Sequence, residues 1–155
     1  EYARLHVVAG CELVFVKSDI EIAEDRVGKH RASLSYNWKR FYDNGCAVAA
    51  GSDSPVEDYN PILGIEGAVN RRDWDNQPPE GWFSDQCLTV EQAVRAFTVG
   101  SAYANYEENE KGTIEPGKFA DLVVLSEDLF TMDKNRLAEA VVEKTIIGGK
   151  LVYSV

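Results

Sequence analysis

Chemistry in this sequence has to start from its carboxylates. The stretch CAVAAGSDSPVEDYNP, Cys46 to Pro61, runs five small uncharged residues into Gly51-Ser52-Asp53. Glu57 and Asp58 follow closely. A carboxylate can ligate a metal or carry a proton, and three of them after a strand could hold a hard cation. The spacing is not that of a calcium loop, because the alternating Asp/Asn positions and the central Gly are missing. The plainer alternative is a turn: Ser, Asp and Pro are good turn formers, and Asp often caps its own backbone.

The other reactive side chains are sparse. There are two histidines, His6 and His30, and no His-x-His. His6 opens an apolar run and reads as core or surface. His30, in GKHRAS, reads as surface. Cys11, Cys46 and Cys87 are an odd number and widely spaced, which fits free thiols in a reducing, cytoplasmic setting rather than a disulfide framework. No paired ligands at short spacing suggest a structural zinc site. Cys11 and Cys46 read as core, and Cys87 has no base placed beside it to make it a nucleophile.

The elements that would position these residues can be read from local patterns. Residues 5–9 and 13–16 (LHVVA, LVFV) are apolar and β-branched and predict one or two short strands. Residues 17–33 are mixed and polar and read as a loop with a helical turn. Ser35 reads as the cap of a helix presenting Tyr36, Trp38, Phe41 and Tyr42, closed by Gly45 in the left-handed conformation. CAVAA has no alternation, so it predicts a parallel strand covered on both faces. Gly51-Ser52-Asp53 then stands at the carboxyl end of that strand, where α/β folds bind ligands.

Asn60-Pro61 opens a helix that ends near Arg71-Arg72, two arginines expected to pair with surface acids. Residues 73–88 form a long loop in which Trp74, Trp82 and Phe83 either line a mouth or anchor the loop. Thr89 and Gln92 make a capping box ahead of an amphipathic helix through Phe97. Gly100 should interrupt that helix before a second one from Ala102 to Glu107. Pro116-Gly117 is a turn, 122–125 a strand, and Gly148-Gly149 the bend of a hairpin.

Composition excludes several classes. The 155 residues carry a net charge of −10, all of it from residues 53–155, while residues 1–52 balance seven acids with seven bases. An acidic chain repels phosphate backbones, so nucleic acid is an unsuitable partner. No apolar run approaches the roughly 18 residues a membrane span needs. A small molecule is the expected partner.

The segment GSDSPVEDYNP, with PILGIEGAVNRRD after it, resembles the last barrel strand and following helix of the amidohydrolase superfamily, in the branch that includes the N-substituted formamide deformylases. KGTIEPGKFADLVVL, Lys111 to Leu125, is similar to the family's passage from barrel helix into a small β-sandwich, and AEDRVGKHRASLSYNWKRFYDNG also fits. The resemblance covers nearly the whole chain. It implies an α/β architecture: the C-terminal part of a (β/α)8 TIM barrel over residues 1–108, then part of a composite β-sandwich over 109–155. It implies hydrolysis of a non-peptide C–N bond by water activated on a divalent metal, zinc being expected. Asp53 is the position that matches the family's aspartate after the last strand, which binds the metal, takes the proton of the attacking water and passes it to the leaving amine.

The family's remaining ligands, a His-x-His, a mid-barrel Lys or Glu and two single histidines, have no counterpart here. The expectation is therefore a segment of a longer enzyme, inactive and free of metal by itself. The alternative is a non-catalytic assembly module that associates with its own copies through exposed strand edges.

Overall fold

The computed structural model describes residues 1–155. Two short parallel strands lie at its centre, β1 (Ala9–Glu12) and β2 (Val48–Gly51), registered from Ala9 opposite Val48 to Glu12 opposite Gly51. Along β1 the small residues Ala9 and Cys11 are buried, while Gly10 and Glu12 are exposed.

Between these strands run α1 (Phe15–Val27), α2 (Lys29–Ala32) and α3 (Trp38–Asp43). Here the expected strand at 13–16 is overturned. Leu13, Val14, Val16 and Lys17 are all buried, a spacing of 0, 1, 3 and 4 that belongs to a helix turning one face to the core. Packing overrides the β-branched preference of LVFV. The expected loop at 17–33 is mostly helical for the same reason: beyond its buried first turn α1 packs Ile20, Ala23 and Val27 against the core at helical spacing and turns Glu21, Asp25 and Arg26 to solvent. The cap of α3 is Asn37, whose side chain accepts from Arg40 N, not Ser35, whose hydroxyl donates to Arg31 O instead. Gly45 does take the left-handed conformation, at φ 70°.

After β2 comes α4 (Pro61–Asn70), started as its sequence predicts: Asn60 Oδ1 accepts from Ile62 N at 3.0 Å and Pro61 fills the first turn. Its Ile62, Ile65, Ala68 and Val69 are buried, and α4 packs on α1 and on the turn at Lys134–Glu139. α5 (Val90–Arg95) begins with the Thr89/Gln92 capping box, both hydrogen bonds present. Gly100 does not interrupt the helical path. A π-helical turn over Ala96–Gly100 carries it into α6 (Ser101–Ala104). A Cβ on Gly100 would lie 1.8 Å from Val48 O, so only glycine lets the turn lie against β2. Next to it, Ser101 Oγ donates to Ala50 O at 3.2 Å. Strand β2 is thus held on one side by β1 and on the other by this turn.

The last third is an antiparallel sheet of β3 (Leu122–Leu125), β4 (Val142–Ile147) and β5 (Lys150–Ser154), with β4 central. The bend between β4 and β5 is Gly148-Gly149, both at positive φ, as the paired glycines predict. β5 is exposed at all five residues. The hydrophobic core joins the parallel pair to α4 and reaches Leu129, Leu137 and Ala140 in the connection between β3 and β4. No helix is long and apolar enough to cross a membrane.

Candidate active site

The carboxyl end of β2 delivers the chain to Asp53, which adopts φ 53°. Left-handed backbone is uncommon outside glycine, and Asp is among the residues that tolerate it. The turn is closed by Val56 N donating to Asp53 O at 2.9 Å. Gly51 and Ser52, immediately upstream, line an apolar cavity of about 430 Å³ together with Ile62, Ile65, Phe97 and Val123.

The three acids of this segment have separate fates. Glu57 Oε1 accepts from Ser18 Oγ at 2.5 Å, a tether to α1. Asp58 Oδ1 accepts from Asn60 N at 2.7 Å and so shapes the approach to α4. Asp53 caps nothing: it is exposed and its carboxylate receives no hydrogen bond from the chain. The turn-capping duty that could have explained Asp53 belongs to Asp58.

No group of three or more His, Cys, Asp or Glu side chains comes together to hold a metal ion. His6 and His30 are both exposed. The segment after β2 offers one free carboxylate, and catalytic zinc sites use about three protein ligands. These residues do not by themselves fit a catalytic metal.

The thiols are structural. Cys11 and Cys46 are buried, and burial pushes the Cys11 thiol up to about 12. Cys46 Sγ donates to Val7 O at 3.1 Å. Cys87 is half-buried and its pKa is raised, first by that burial. A raised pKa keeps sulfur protonated and unreactive at neutral pH.

The long loop is anchored from within. Trp82 is buried, donates from Nε1 to Glu24 Oε1 at 3.1 Å and packs against Phe83 with ring centroids 4.7 Å apart. The expected surface pairing of Arg71 and Arg72 is overturned. Arg71 is fully buried, with its guanidinium 5.6 Å from the Trp38 ring and 5.4 Å from the Trp82 ring, and it donates to Trp82 O and Tyr36 O. Burial lowers its pKa to about 10. Arg72 donates to Asn135 Oδ1 and Pro79 O, not to an acid. Trp74, by contrast, is half-exposed. Its Nε1 donates to Ser18 Oγ at 3.0 Å and its ring lies 4.9 Å from Lys17 Nζ.

Ser18 and Lys17 were not legible as site residues. Both act through partners 39 to 56 positions away, and no local pattern marks such contacts.

Residues 1–153 match the model of the amidohydrolase family. The chain belongs to that family. It is 37% identical over 151 residues to the amidohydrolase YtcJ of Bacillus subtilis (strain 168), covering 97% of this chain and 28% of that protein. It is 34% identical over 115 residues to the N-substituted formamide deformylase of Arthrobacter pascens, covering 74% of this chain and 21% of the relative. The crystal structure of an uncharacterised metal-dependent hydrolase from Pyrococcus horikoshii OT3 superposes with a TM-score of 0.72 at 27% identity, covering 86% of this chain and 27% of that one. This amidohydrolase chain has the mixed α/β fold of that structure, and it spans about a quarter of each relative's length.

Proposed function

We propose that this amidohydrolase chain supplies the last strands and helices of a (β/α)8 barrel and part of a β-sandwich to a metal-dependent hydrolase of non-peptide C–N bonds. The observation that carries the reading is Asp53: a carboxylate free of any hydrogen bond at the carboxyl end of a parallel strand, in a chain of this family. In this reading β1 and β2 are neighbouring barrel strands, the chain divides at residues 108 and 109, and Asp53 is one ligand of a zinc site. Its other ligands come from polypeptide outside these 155 residues.

Asp53 has a second task in the reading. As a water oxygen bonds to the amide-type carbon, an oxygen of the Asp53 carboxylate accepts the proton that the water loses. As the C–N bond breaks, the same oxygen returns that proton to the leaving nitrogen. A group unencumbered by internal hydrogen bonds can take both protonation states without disrupting the turn. The substrate is a small molecule, and the free thiols suit a cytoplasmic setting.

The test is Asp53→Asn in the complete polypeptide, assayed for amine released from N-substituted formamides. Loss of turnover by roughly 10²–10⁴-fold with an unchanged circular dichroism spectrum is expected, the usual range for a proton-transfer group. Turnover within tenfold of the parent would overturn the role.

One observation favours a second reading, an assembly module. β5 is exposed along its whole length, with Leu151, Val152 and Tyr153 open to solvent, and such an edge pairs readily with another strand. Light scattering on the 155-residue chain separates the cases: homo-oligomers support association through this edge, and a monodisperse monomer argues against it.

A further inference from the structure

We propose that Ser18 is a positioning residue that fixes the Asp53 turn against the helix layer, an inference that rests on the reading of Asp53 as the working carboxylate. Residues 52–59 have no helix or strand of their own. Within them the Val56–Asp53 backbone bond is local. The one hydrogen bond that reaches this segment from a distant part of the chain is Ser18 Oγ to Glu57 Oε1, at 2.5 Å.

The hydroxyl of Ser18 is used twice. It donates to Glu57 and accepts from Trp74 Nε1 at 3.0 Å. A serine hydroxyl has one proton to donate and lone pairs to accept, so both contacts are satisfied together. The segment bearing Asp53 and the loop bearing Trp74 are therefore held at a fixed spacing through a single oxygen.

The anchor under that oxygen is rigid. The preceding residue, Lys17, is buried, lies 2.5 Å from Glu66 Oε2 on α4, and donates to Asp73 O at 3.3 Å. Helix α1 is thereby locked at residues 17 and 18 to α4 and to the start of the 73–88 loop. A hydrogen bond to a carboxylate is among the stronger kinds, so its loss should be felt in the segment it holds. Ser18 touches neither Asp53 nor any reacting atom in this arrangement. It acts by setting where the turn sits.

The test is hydrogen exchange on the 155-residue chain, compared among the parent, Ser18→Ala, Ser18→Thr, Glu57→Ala and the Ser18→Ala/Glu57→Ala double variant. Ser18→Ala should speed exchange of the Val56 amide, whose bond to Asp53 O closes the turn, by about tenfold or more, the loss expected for a hydrogen bond to a charged acceptor. Amides of α4 should keep the parent rate. Ser18→Thr, which keeps the hydroxyl, should restore protection. The double variant should exchange no faster than either single variant, because both remove the same bond. Exchange of the Val56 amide within twofold of the parent for Ser18→Ala and Glu57→Ala overturns the proposal, as does additivity of the two.

Turnover of N-substituted formamides by the complete polypeptide provides the functional arm. Ser18→Ala should lower kcat with little change in KM, and Ser18→Thr should recover it. Faster exchange with parental kcat refutes positioning of Asp53. A fully active Asp53→Asn variant refutes the reading of Asp53 and leaves the tether measured by exchange intact.

Discussion

Lys17 Nζ stands 2.5 Å from Glu66 Oε2, and both side chains are about 95% withdrawn from solvent. The pair joins α1 to α4. It is completed by Asn70 Nδ2 donating to the other Glu66 oxygen at 3.1 Å and by Lys17 donating to Asp73 O. An ion pair taken out of water gains little over a well-packed apolar pair, but removing one partner leaves the other charge buried alone.

Lys17→Met or Glu66→Gln should therefore lower stability by about 3–5 kcal/mol, the cost of an orphaned buried charge. Replacing both with apolar residues should cost much less than the sum. Urea unfolding of the three variants gives the comparison. A loss below about 1 kcal/mol for each single variant would mean the pair is solvated in solution.

Gly100 is the contact point between the π-helical turn and β2. A methyl group there would meet Val48 O at 1.8 Å and Val48 C at 2.9 Å, both backbone atoms of the central strand. Gly100→Ala should destabilise the chain by about 3 kcal/mol, the upper end for overpacking, because neither backbone yields easily. Gly10→Ala, on the open face of β1 where nothing lies within 4 Å, is the control and should stay within about 1 kcal/mol of the parent. Thermal unfolding of both variants checks the difference.

Stability should fall on the alkaline side. Burial holds Cys11 up at about 12 from its ordinary 9.0, and Tyr42 up at about 12 from 10.0. Tyr36 is raised as well, by burial and by its hydrogen bond to Asp19. Each of these acids binds its proton more tightly when folded than when unfolded. Their contribution is complete below the unfolded pKa and is lost as pH rises through the folded one, here from about 9 to about 12. Arg71 works the other way. Its folded pKa is lowered to about 10, so the cost of burying its charge is relieved as pH climbs past that value. With Cys87, also raised by burial, four acids against this one base leave a net decline. Chemical unfolding at pH 8, 10 and 11 should show falling midpoints, with a shallower decline in Cys11→Ala and Tyr42→Phe. A flat profile would contradict the burial of these groups.

Most short-range signals in the sequence were faithful guides. The Asn60-Pro61 start of α4, the Thr89/Gln92 box and the Gly148-Gly149 bend each involve residues within four positions of one another, and each forms as its residue types dictate. One local signal misled, the Ser35 cap, whose place Asn37 takes two residues on; the others that misled were decided by distant partners. LVFV looks like a strand by composition, yet the core takes its residues at helical spacing. Arg71 looks like a surface charge, yet Trp38 and Trp82 close over it from two different parts of the chain. The candidate site divides along the same line. That Asp53 ends a parallel strand could be read from CAVAAGSD. Asp58 is occupied locally by Asn60 N, but that Glu57 is occupied too, leaving Asp53 as the free carboxylate of the three, required knowing that Ser18 arrives from 39 residues upstream.

Asp53 is proposed to bind metal in the complete hydrolase. Anomalous diffraction at the zinc edge, from crystals of the complete polypeptide loaded with zinc, tests it directly. The expected result is an ion with an Asp53 carboxylate oxygen about 2.0–2.2 Å away, the ordinary zinc–carboxylate distance. An ion held by other residues, with the Asp53 carboxylate more than about 4 Å from it and so outside coordination range, would contradict the claim.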